Sequence, residues 1–223
     1  MPLRPRLIAA AGVLLAALVC AAPASARIVE IGAAAAEATP TCPSSPCLAV
    51  SRTTGYQAKV VDSRESYIVP APGRIVAWTI SLGSPDQRQI DFFTSNYGEA
   101  SAGLTILRRG KRLYHRVLAQ TPVMDLESYF GQKVQFPLER SIPVKKGYVV
   151  ALTVPTWAPA LTQLLDDGSS WRASRAKGKC DDTDSQSAQT RTGTRVQYRC
   201  LYKARLTYSA TLITNPKPNK KPD

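Results

Sequence analysis

Apolar and polar residues alternate along much of this chain with a period of two. In Arg74-Ile-Val-Ala-Trp-Thr-Ile-Ser-Leu82 the large apolar side chains fall at 76, 78, 80 and 82, with small or polar ones between them. Successive side chains of a strand point to opposite faces, so this pattern predicts a strand with one buried face. Val150, Leu152 and Val154 repeat it within residues 148–154, and Leu206, Tyr208, Ala210 and Leu212 within residues 205–212. Shorter strands are expected over residues 48–53, 67–69, 90–93, 104–107, 113–119, 133–136 and 194–201. Pro72-Gly73, Gly83-Ser84-Pro85, Gly110, Lys145-Lys146-Gly147 and Asp167-Gly168 separate them as turns. No stretch carries a sustained helical period, and residues 161–165 offer one short helical turn at most. About ten short strands at this spacing predict an all-β chain folded as a single antiparallel β-sandwich or barrel, of which the sandwich is favoured.

The two ends depart from the pattern. Met1-Pro-Leu-Arg-Pro-Arg6 is basic, residues 7–22 are almost wholly apolar, and Ala24-Ser25-Ala26 is a small-x-small cleavage site. That order reads as a signal peptide over residues 1–26 and predicts an exported protein, secreted and free or held at the cell surface. The apolar run falls short of the roughly 20 residues of a membrane span. Cys20 follows the bulky Val19 rather than the small residue of a lipoprotein signal. No later segment is long and apolar enough to span a membrane, so none is expected after signal cleavage. Residues 27–41, with an alanine run, read as a flexible lead-in. Residues 42–214 read as the sandwich domain, and residues 215–223, with three prolines and no apolar side chain, as a disordered basic tail.

Charge and cysteines narrow the class. The formal net charge is +13, and loss of Arg4 and Arg6 with the signal lowers it to +11. A basic surface suits nucleic acid, but export points instead to cell-wall polymers, anionic lipids or acidic polysaccharides. Net charge also serves solubility alone. Beyond Cys20 four cysteines remain, an even number that suggests two disulfides in an oxidising compartment. Of three pairings, Cys42–Cys47 and Cys180–Cys200 close the smallest loops and are favoured. Cys200 is then expected to share a strand face with Val196 and Tyr198, with residues 181–193 as a tethered excursion from the sheet. Zinc ligands come in closer, duplicated pairs than these.

Two passages carry a family resemblance: Tyr67-Ile-Val-Pro-Ala-Pro-Gly-Arg-Ile-Val-Ala-Trp78 and Ile142-Pro-Val-Lys-Lys-Gly-Tyr-Val-Val-Ala-Leu152. They resemble exported bacterial jelly-roll domains, in which such turns lead into a tryptophan-bearing strand and a core strand. The resemblance covers about half of the chain that follows the signal. It implies a jelly-roll-like sandwich. Many such proteins have no assigned function and others are carbohydrate-binding modules.

Few residues invite catalysis. His115 is the sole histidine, alternating with Leu113 and Val117 on one strand face. A serine triad would need it beside an activated serine, and no Gly-x-Ser-x-Gly elbow occurs. Catalytic zinc normally takes two or three histidines. No phosphate-binding glycine loop is present and no cofactor is expected. Paired carboxylates remain open as glycosidase chemistry, with Asp62, Glu65, Asp91, Glu99, Asp125 and Glu127 as candidates. Asp181, Asp182 and Asp184 form an acidic loop that reads as a solvated turn or a calcium ligand set.

Binding candidates are clearer. Arg108, Arg109, Lys111 and Arg112 surround Gly110, which is expected to supply the unusual backbone angles of a hairpin turn. Four cations at a tip attract sulfate, phosphate or carboxylate groups, or else guard an edge against aggregation. Trp157 and Trp171, in proline- and glycine-bounded loops, either cover a sugar ring or fold back over the core. The leading expectation is a noncatalytic exported β-sandwich that binds a cell-surface or extracellular polymer, with an anionic or neutral polysaccharide or a cell-wall polymer as the candidates. The alternatives are a carboxylate-dependent polysaccharide hydrolase or lyase and a structural envelope protein. No nucleic-acid partner is expected.

Overall fold

The computed structural model describes residues 26–33, 38–61, 63–163, 168–182 and 186–216. The signal-peptide reading, most of the alanine run, Asp62, Asp184 and residues 217–223 of the expected tail lie outside the described residues.

The described chain is an antiparallel all-β, sandwich-like fold with one α-helix. In order it runs β1 (Ile28–Ile31), β2 (Val50–Lys59), β3 (Gly73–Ser81), α1 (Gln87–Tyr97), β4 (Ser101–Arg108), β5 (Tyr114–Gln120) and β6 (Met124–Asp125). It continues through β7 (Lys133–Val144), β8 (Val149–Ala158), β9 (Leu161–Thr162), β10 (Ser170–Ala173), β11 (Arg195–Gln197), β12 (Cys200–Tyr202), β13 (Arg205–Leu206) and β14 (Tyr208–Thr214). The smaller sheet has the order β1-β14-β3-β7. The larger has β11-β5-β4-β8-β2-β10-β12, with β6 beside β4, and β13 pairs with β9. More strands form than the alternation predicted, and several, among them β2, β4, β7 and β8, run longer than expected.

The core lies between the sheets. Val150, Leu152 and Val154 of β8 meet Tyr208, Ala210 and Leu212 of β14, as their period predicts, together with Ile75, Trp78 and Ile80 of β3. Two tyrosines couple the layers: Tyr67 donates to the Tyr208 carbonyl at 2.6 Å, and the Tyr208 hydroxyl donates to the Val150 carbonyl at 3.0 Å. In β3 the alternation holds from 78 to 82 but not at 76. Val76 is the extra residue of a β-bulge, skipped in the register with both β7 and β14, so Ile75 takes the core position instead.

Four sequence expectations are corrected. Residues 28–31 are not lead-in: Ile28 to Ile31 pair with Ile213 to Ala210, placing Ile31 in the core. Arg27 and Thr214 are thereby neighbours, joined by the Thr214 N–H to the Arg27 carbonyl at 2.9 Å. Residues 90–93 belong to α1 rather than a strand. Asp86 and Gln89 form a reciprocal capping box at its start, and Gly98, at φ 88°, ends it. Residues 67–69 contribute one isolated bridge, Ile68 to Val149, rather than a strand. Residues 161 and 162 are strand β9 rather than the start of a helical turn.

Both expected disulfides form, Cys42–Cys47 and Cys180–Cys200. Residues 189–193 of the excursion closed by the second lie down on the outer face of the larger sheet rather than leaving it. The Gln189 N–H donates to Thr54 Oγ1 at 2.9 Å and the Gly193 N–H to the Val117 carbonyl at 2.8 Å. Under this cover Leu107, Val117, Val149, Ala151 and Tyr198 form a second apolar cluster. Cys200 belongs to the main core instead, so it does not share the face of Val196 and Tyr198: the chain turns between β11 and β12. Among the described residues no helix is long and apolar enough to cross a membrane.

Candidate anion-binding surface

The β4–β5 hairpin carries the expected cations, and Arg108, Arg109, Lys111 and Arg112 are all exposed. Its backbone differs from expectation. Gly110 is extended, at φ −132°, and the left-handed residues are Arg112 at φ 52° and Leu113 at φ 65°. Glycine is required at 110 for room: a Cβ there would sit 2.3 Å from the Tyr114 carbonyl oxygen. The turn is tied down from β11 and the residue after it. Gln197 Nε2 donates to the Arg112 carbonyl at 3.1 Å and the Tyr198 N–H to the Leu113 carbonyl at 2.9 Å.

Two further arginines join through strand register. Arg116 of β5 stands opposite Arg108 of β4 on one side and Arg195 of β11 on the other. Residues directly opposite across antiparallel strands project to the same face, so the three guanidinium groups form a row across adjacent strands. All three are exposed. Arg195 lies 5.2 Å above the ring of Tyr114, a cation–π contact that holds one end of the row. Like charges directly opposite destabilise strand pairing. Here no acid offsets them: residues 100–124 and 186–216 contain neither Asp nor Glu, and among the described residues no ion pair reaches these arginines.

Behind the turn, on the other face of β5, His115 is buried under the cover. The Gly110 N–H donates to His115 Nδ1 at 3.4 Å, which leaves the proton of the neutral ring on Nε2, 3.1 Å from the Tyr56 hydroxyl. Tyr198 stacks on the imidazole with centroids 5.0 Å apart. Burial pulls the imidazole down to about 4; a backbone hydrogen bond at Tyr114 opposes this, and the charges of Arg109 and Arg172 add to it. Burial likewise raises the Tyr56 phenol, against the pull of Arg172 and Arg109. His115 is therefore a neutral strut beneath a cationic turn.

The tryptophan candidates are corrected. Trp157 is fully buried, stacked on Phe93 of α1 at 4.8 Å and beside Phe130 at 5.5 Å. Trp171, on β10, is buried against Tyr202 and so close to Gly55 that a Cβ there would meet its ring at 2.6 Å. Neither offers a face to a sugar, because the helix and the strand pairing close over them.

Among the carboxylate candidates, Glu99 is brought toward Asp125 and Glu127 by the β4–β6 pairing, with Ser101 opposite Asp125 and the Leu126 N–H on the Ala100 carbonyl at 2.9 Å. Glu65, Asp91, Glu99, Asp125 and Glu127 are exposed, and none lines the three cavities found beside Glu30, Glu139 and Asp86, of about 330, 460 and 380 Å³. Asp182 pairs with Lys179 at 3.2 Å, so of the acidic loop one carboxylate already has a cation. Sequence reasoning found the turn but missed Arg116 and Arg195, whose meeting depends on the register of strands some eighty residues apart. No family model, curated protein or solved structure matches the chain.

Proposed function

We propose that this chain is an exported, noncatalytic β-sandwich protein that binds an anionic cell-surface or extracellular polymer, foremost an acidic polysaccharide. The observation that carries this reading is the row Arg108–Arg116–Arg195 beside the cationic turn, without a carboxylate on any of the three strands. Strands lie about 4.8 Å apart, so the row presents donors at a close, regular repeat. A flexible chain carrying one anionic group after another can meet it without deforming the sheet. Two disulfides fit an oxidising compartment, which supports export. The strand order supports a jelly-roll connectivity. With β6 and β9 to β13 set aside, the remaining strands taken first to eighth read 1-8-3-6 in one sheet and 2-7-4-5 in the other.

The test is binding of the disulfide-bonded protein to immobilised polygalacturonate, a sulfated polysaccharide and neutral dextran. A variant carrying Arg108→Ala, Arg116→Ala and Arg195→Ala is compared with one carrying Lys145→Ala, Lys146→Ala and Lys203→Ala, which loses the same charge elsewhere. The arginine variant should lose about tenfold or more in affinity for an acidic polymer, the summed effect of three modest charge contacts. The lysine variant should lose far less. Equal losses in both would reduce the effect to net charge and overturn the reading, as would failure to retain any acidic polymer.

A further inference from the structure

We infer that Tyr56, Arg109 and Arg172 form a discrete seat for one oxyanion of the polymer, a carboxylate or sulfate group, on the face of the larger sheet opposite the arginine row. The inference rests on the proposed polymer-binding reading and places one ligand group at a defined point. The seat is built from three elements. Arg172 of β10 stands directly opposite Tyr56 of β2, so their side chains share a face. His115 of β5 is bonded to both the Tyr56 hydroxyl and the Gly110 N–H, which brings the turn bearing Arg109 to the same place. His115 alternates with Arg116, hence the opposite face.

Arg172 and Tyr56 are each held by neutral partners. Arg172 Nη1 donates to the carbonyl oxygens of Arg199 at 3.0 Å and Tyr198 at 3.5 Å, which fixes the guanidinium and leaves its charge uncompensated. The Tyr56 hydroxyl accepts from His115 Nε2, and its own O–H remains to be given to another acceptor. Arg109 is exposed, and its charge bears with that of Arg172 on both Tyr56 and His115. No carboxylate acts on either ring among the described residues. A guanidinium and a phenol O–H on one face, with the charge of Arg109 acting on the same rings and no carboxylate answering them, are the donor set that an oxyanion completes, through charge-assisted hydrogen bonds.

His115 reports on the seat because it is the sole histidine. Tyr56, Arg109, Arg172, Tyr198 and the Tyr114 backbone surround it, and an anion against the first three opposes the two cationic charges that favour its neutral form. Its ring resonances are followed by NMR through a pH titration, with and without trigalacturonate, and with sulfate against chloride at equal ionic strength. The expected result is a His115 pKa displaced upward by trigalacturonate, and loss of that displacement in Tyr56→Phe and in Arg172→Gln. Lys145→Gln should leave the displacement intact. A matching displacement by sulfate supports a seat for oxyanions in general, and none by sulfate supports one selective for the sugar carboxylate. Retained polymer binding with an undisturbed His115 overturns the seat while the arginine-row reading stands. Absence of any acidic-polymer binding overturns both. Unfolding of Arg172→Gln would not spoil the test, since Tyr56→Phe keeps the ring and removes only the donor.

Discussion

His115 contributes a pH response that rests on a single buried ring. Its folded value of about 4 lies below the 6.5 of an unfolded histidine, so protons bind preferentially to the unfolded chain. Its stabilising effect is therefore complete above pH 6.5 and is lost as pH falls from 6.5 toward 4. A shift of this size corresponds to as much as about 3 kcal/mol. Urea unfolding midpoints measured across that window should fall more steeply for the native protein than for His115→Asn, which lacks the titrating ring. Parallel curves would mean that carboxylates govern acid stability instead. The alternation of His115 and Val117 places this side chain on a buried strand face, although Leu113, expected beside them, falls in the turn before β5. What covers that face was not legible, because Tyr198 and Tyr56 arrive from positions distant in sequence.

Among the elements, α1 shows how a short apolar run misleads. Ile90 to Phe93 reads as strand when taken alone, yet Asp86, Gln89 and Gly98 bracket it as a helix, and Ile90, Phe93 and Tyr97 fall on one helical stripe. The helix is signalled by its flanks, not by the run. Asp86 Oδ1 accepts from the Gln89 N–H at 2.9 Å, and Gln89 Oε1 accepts from the Asp86 N–H at 2.9 Å. Asp86→Ala should cost about 1 kcal/mol of stability in denaturant unfolding. It should also raise hydrogen exchange in the first turn and increase solvent quenching of Trp157, which α1 covers through Phe93. No change in either readout would show that packing alone holds the helix. The β4–β5 turn is the opposite case: its cations were legible, but the left-handed residues Arg112 and Leu113 have no sequence signature, and Gly110 is there for clearance.

For the whole molecule, periodicity in three strands was enough to anticipate two layers and the core between them, while the second apolar cluster was not foreseeable. Val149 and Ala151 look like the exposed side of β8 until Tyr198 and Val196 pack over them. The Cys180–Cys200 bond anchors that cover, with a sequence separation of 20. Replacing both cysteines by serine should lower stability by about 3 kcal/mol in the chain-entropy view. Limited proteolysis should then cut first between residues 186 and 194. Unchanged resistance there would show that Thr54 and Gln120, which bond the segment through Gln189, suffice to hold it. The side-by-side pairing of β1 and β14 has a different use. Arg27 and Thr214 emerge at one point, so the sandwich can be grafted into a surface loop of a host protein with both junctions at a single doorway. The same adjacency allows the order of the strands to be rewired: a short linker from 214 to 27 and new ends opened at the exposed Lys145-Lys146 turn would preserve every sheet pairing.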